Sequence, residues 1–119
     1  MDYSTLRIIH LTGLALTFMG LTGVLASKAT GQTLKKTWLY HLSHGVGLLL
    51  LLATGIALGL KLGMVHPAPL WVRGKFAVWL LAGGAMFLAT RFSRFAGPLV
   101  VLFALLVFAG AWLAISKPF

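Results

Sequence analysis

Apolar residues in this chain neither alternate nor follow a single helical stripe; they run in four nearly continuous blocks broken by short polar tracts. A helix rises about 1.5 Å per residue, so about 20 mostly apolar residues cross the roughly 30 Å hydrocarbon core of a bilayer. The blocks at about 6–26, 38–60, 71–90 and 96–115 each meet that length. The pattern predicts an all-α integral membrane protein, one domain over residues 1–119. The connections are short: Ser27 to Thr37 with Lys28, Lys35 and Lys36; Lys61 to Pro69 with His66 and Pro67; Arg91 to Phe95 with Arg94. Such connections join antiparallel neighbours, and the expected architecture is an up-down-up-down four-helix bundle. The first block has the basic start and small-residue end of a cleaved leader, but its length and the lysines after it predict a retained span.

Composition sharpens this picture. Of the 119 residues 60% are hydrophobic and 9% charged, against about 45–50% and about 25% in ordinary soluble domains. Net charge is +9 with one acid, Asp2. Because the bases sit between the spans, their expected partner is the anionic headgroup layer of a bilayer and not nucleic acid. An even number of spans places both termini on one side. That side receives Arg7, Lys61, Arg73, Lys75 and Lys117, the other Lys28, Lys35, Lys36, Arg91 and Arg94. If Lys75 lies inside the bundle, the remaining excess marks the second side as cytoplasmic. The absence of cysteine and glutamate removes thiolate sites and paired-carboxylate chemistry, and no serine or threonine has the flanks of a nucleophile elbow. Activity would therefore rest on a bound cofactor.

Ionisable groups within spans are costly unless they face the bundle interior or reach an interface. His10, Gly13, Thr17 and Gly20 share one face of the first helix at spacings of three and four, where a partner helix can approach closely. The second helix offers His41, His44 or Gly45, Leu48, Leu52, Gly55 and Gly59; the third offers Lys75, Trp79, Ala82 and Met86. The fourth has no ionisable residue between Ala96 and Ile115 and is expected to serve packing. His10 and Lys75 each lie roughly 9 Å from their helix midpoints towards the terminal side, and so are expected neighbours. His44 and Met86 lie roughly 7 Å towards the other side, with His41 about one turn nearer that surface. A spacing of roughly 16 Å between His10 and His44 along the membrane normal excludes one iron held between them. His41 and His66 also fit plain interfacial or solvated roles, Lys75 can extend its stem to the headgroups, and Met86 can be packing. Met19, opposite His10 on the first helix, is expected to face lipid.

Neutral imidazole ligates haem iron and copper, and methionine adds a soft donor. A groove lined by Gly13, Gly20, Gly45 and Gly55 would admit a flat macrocycle, with Arg7, Arg73 and Lys75 available to its carboxylates. The same glycines also suit ordinary helix contact.

Arg7-Ile8-Ile9-His10, Ser43-His44, the run Pro69-Leu70-Trp71-Val72-Arg73-Gly74-Lys75, and Gly83-Gly84 with Arg91 together resemble a group of small four-span bacterial membrane proteins. The group comprises the SirB family, the membrane domain of the copper-resistance protein CopD, and protoporphyrinogen oxidases of the HemJ type. The resemblance covers nearly the whole chain and rests on few positions. It implies a bacterial inner-membrane location, and it implies His10 and Lys75 as residues of haem binding and oxidase activity. Three readings follow. The first is binding of haem b or a porphyrin through His10 or His44, with Lys75 and Arg73 at its carboxylates, for electron transfer, haem handling or porphyrinogen oxidation. The second is copper movement through His41, His44 and Met86, with His10 a further candidate ligand. The third is an accessory subunit without cofactor, packed as a homo-oligomer or in a larger membrane complex.

Overall fold

A computed structural model describes residues 2–31, 37–63 and 68–117. His66, Lys35 and Lys36 lie outside the described residues. Four α-helices follow in order: α1 (Tyr3–Ala29), α2 (Thr37–Lys61), α3 (Leu70–Arg91) and α4 (Ala96–Ser116), with a 3₁₀ turn at Ser93–Phe95 before α4. All four are long and apolar enough to cross a membrane. They hold 21 to 27 residues, or about 32–40 Å of helix. Each expected block therefore forms a helix, extended by at most three residues at either end.

Local chemistry sets those ends. Asp2 caps α1, its carboxylate accepting the Thr5 amide at 2.7 Å and holding its own pKa below the usual carboxylate range through that bond. α1 and α2 stop by the same device. The Thr30 and Leu62 amides reach back to Ala26 and Leu58, and the next residues, Gly31 and Gly63, take φ of +68° and +70°. Only glycine adopts that conformation without strain, so it ends helices readily. Pro69 starts α3 and Pro98 sits in the first turn of α4, where no amide hydrogen is needed.

The helices do not form a square. α1 is central: it packs along α2 over its length and also touches α3, α4 and the 3₁₀ turn, while α3 pairs with α4. α2 meets α3 only over a short stretch. There, Trp79 Nε1 donates to the Leu48 carbonyl at 2.9 Å. The main apolar core gathers Leu21, Val24 and Leu25 of α1, Ala85 and Ala89 of α3, and Leu99, Phe103 and Leu106 of α4. Outward faces carry large apolar side chains, among them Met19 at 64% exposed and Ile115 at 83%. In water, so much contiguous apolar surface would drive association; in lipid it is the expected exterior.

Candidate functional site

The α1–α2 seam holds two of the four histidines, and glycine determines its shape. A Cβ on Gly13 would stand 2.9 Å from Leu50 Cβ; one on Gly20, 2.5 Å from the His44 amide nitrogen; one on Gly47, 2.6 Å from the Gly13 carbonyl oxygen. None of these neighbours is a flexible side-chain tip, so the two backbones touch. The register is antiparallel and regular. His10 meets Thr54, Thr17 meets Gly47 and Gly20 meets His44, each step forward along α1 matching an equal step back along α2.

Along that seam the helices exchange histidines. His44 of α2 is 5% exposed, and its Nδ1 lies 2.9 Å from the Thr17 carbonyl oxygen. A carbonyl only accepts, so Nδ1 carries the hydrogen. Nε2 of the neutral ring is then a lone pair, and among the described residues it has no hydrogen-bond partner. His10 of α1 is half-buried, with its Nδ1 2.7 Å from Thr54 Oγ1. The Thr54 hydroxyl already donates to the Leu50 carbonyl, so it accepts from His10 Nδ1–H. The His10 Nε2 lone pair is again left over. Both rings are thus held as the tautomer found in metal-ligating histidines, whose second nitrogen usually donates to an oxygen of the protein.

Lys75 is half-buried on α3. Gly55 lies beside His10: a Cβ there would lie 3.6 Å from His10 Cε1, in ordinary contact. Arg73 is exposed two residues before Lys75. His41 is exposed one turn beyond buried His44. Met86 packs against the apolar core and Met19 faces outward.

Among the described residues no group of three or more His, Cys, Asp or Glu side chains could hold a metal ion. The faces of Gly13 and Gly20 are filled by α2 itself, which leaves no slot for a macrocycle between α1 and α2. Gly47 makes the close contact on α2, whereas a Cβ on Gly45 would meet nothing within 4 Å. Two outer clefts lie on α1: one runs against α4, past Phe18, Thr22 and Phe103, and one lies beneath Tyr40, past Met19 and Gly23. Neither is lined by a histidine or by Lys75.

The residue missed in the sequence is Thr54. Its signal was its position: in an antiparallel hairpin tied at Gly20 and His44, the residue facing His10 is Thr54. Compared with known family models, curated proteins and solved structures, the chain matches none.

Proposed function

We propose that the protein binds a b-type haem or related porphyrin within the membrane, with His10 Nε2 as the group that would hold its iron. The reading is supported above all by His10 itself: its Nδ1–H is committed to Thr54, which leaves the Nε2 lone pair outside that bond. A macrocycle held by His10 would have to lie on its Gly55 side, since the α1–α2 seam is closed. Lys75 would face a porphyrin carboxylate and hold or release a proton beside it, with Arg73 nearer the headgroups. Bound haem supplies one-electron chemistry; the chain supplies the imidazole, its orientation and the cation. This suits electron transfer, haem handling or porphyrinogen oxidation in a bacterial inner membrane with both termini on one side.

The test is a visible spectrum, oxidised and reduced, of protein purified after haem-replete expression. A Soret band is expected in the wild type and in His44→Ala, and its loss in His10→Ala. No band, and none after reconstitution with haemin, overturns the reading.

A second reading has one observation in its favour. The buried Nε2 of His44 lacks a partner among the described residues, and leaving such an acceptor unbonded costs about 1–3 kcal/mol. A soft cation such as cuprous copper, shared with Met86, would satisfy it. Metal analysis decides: copper held by the wild type and by His44→Ala alike removes that reading.

A further inference from the structure

The end of the bundle opposite Asp2 collects positive charge without a compensating acid. Lys28 lies in the last turn of α1, Arg91 ends α3 and Arg94 sits in the 3₁₀ turn, all three exposed. Packing of α1 against that turn brings cations that are far apart in sequence to one end of the molecule. The chain's single acid, Asp2, precedes the first residue of α1 and is separated from Lys28 by about 39 Å of helix. No carboxylate of this chain can therefore neutralise them.

The arginines are also anchored to apolar surface. The Arg94 guanidinium lies 4.8 Å from the Phe95 ring centroid and that of Arg91 5.9 Å from the Phe87 ring. Phe87 and Phe92 stack edge to face, and Phe87, Phe92 and Phe95 are exposed. Exposed phenylalanines at the end of a spanning helix lie in hydrocarbon. Guanidinium groups over their faces sit at the boundary between acyl chains and headgroups. A ligand for this end must combine negative charge with an acyl chain beside it.

We infer that Lys28, Arg91 and Arg94, with Phe87, Phe92 and Phe95 below them, form a binding site for the phosphate of an anionic phospholipid. The inference is independent of haem or copper, since none of these residues touches His10, His44 or Lys75 in sequence or in the hydrogen-bond network. Guanidinium forks grip phosphate in two-point fashion, and each base near the surface adds measurably to the attraction for anionic lipid.

Native mass spectrometry of the detergent-purified full chain, titrated with phosphatidylglycerol, phosphatidylcholine or inorganic phosphate, tests the site. The wild type is expected to retain phosphatidylglycerol in preference to phosphatidylcholine, and the double variant Arg91→Gln/Arg94→Gln to lose that preference about tenfold. A control pair on the opposite end, Lys61→Gln/Lys117→Gln, is expected to keep it. An unchanged circular dichroism melt shows that the variants are folded. Equal retention of the two lipids by the wild type overturns the site, as does equal loss in both double variants, which would mark a diffuse charge effect. Displacement of phosphatidylglycerol by an equal concentration of inorganic phosphate would also overturn it, as a free anion site.

Discussion

Where α1 meets α2, backbone touches backbone at Gly13, Gly20 and Gly47, and hydrogen bonds from His10, Ser43 and His44 cross the seam. Where α3 meets α4, single glycines receive large side chains: a Cβ on Gly74 would lie 3.1 Å from Leu113 Cδ1, and one on Gly110 3.8 Å from Val78 Cγ1. Lipid tails are as apolar as leucine, so burial alone does not drive helices together in a bilayer. The first hairpin answers with close approach and interhelical hydrogen bonds. The second answers with shape, seating large side chains on Gly74 and Gly110. The candidate histidines His10, His41 and His44 all belong to the first. A rigid, polar seam orients imidazoles, while an apolar hairpin only shields them.

Substitutions separate the two modes. Gly47→Leu drives a side chain into the Thr17 backbone, which cannot give way, and is expected to cost about 3 kcal/mol or to prevent folding. Gly45→Leu, two residues away with open space around it, is expected to be neutral within about 0.5 kcal/mol. Reversible unfolding in mixed micelles reads both, and equal effects would show that the close seam is not where stability resides. On the other hairpin, Phe103→Ala opens a void in the shared core and is expected to cost about 2 kcal/mol, less than in a water-soluble protein because the comparison state is lipid. The same unfolding assay measures it. The His10 ring should keep its spectrum of nitrogen shifts in that variant.

Thr54→Val is subtler. It removes the acceptor for His10 Nδ1–H, with an expected loss of about 1 kcal/mol. Imidazole ¹⁵N shifts should change from one tautomer to a mixture. Retention of a single Nδ1–H form would mean that Thr54 does not set the ring. Smallest is a pH effect at Asp2. The Thr5 amide holds this carboxyl below its ordinary value, so the unfolded chain takes up the proton first. Its contribution is present in full above the unfolded pKa and is lost as pH falls through the folded one. Protection of the Thr5 amide relative to its intrinsic exchange rate should fall below about pH 4, and Asp2→Ala should lack that protection already at pH 7.

Helix number, span and the small-residue face of α1 were legible in the sequence because length and spacing carry them directly. The matching face of α2 was less so. α2 is apolar nearly all round, so its periodicity allows Gly45 or Gly47 as the contact, and only packing selects Gly47. Thr54 was hidden for another reason. A threonine in an apolar helix commonly bonds the carbonyl four residues back, as Thr54 does with Leu50, and so looks satisfied on its own account. Its second lone pair, which takes His10, is invisible without the partner helix. The ends of the spans are marked in the sequence, and so is the depth of His10 and Lys75 along them. The sequence could not foretell that α1 would occupy the centre and leave α2 and α3 almost apart.

The reciprocal exchange of His10 and His44 has a consequence for biogenesis. Both Nδ1 bonds close within a single sequential hairpin, from α1 to α2, with no help from α3 or α4. As the second segment leaves the insertion machinery, its imidazole and that of the first already have their oxygens. The early hairpin can therefore enter the bilayer as a pre-assembled unit, ahead of translation of the rest.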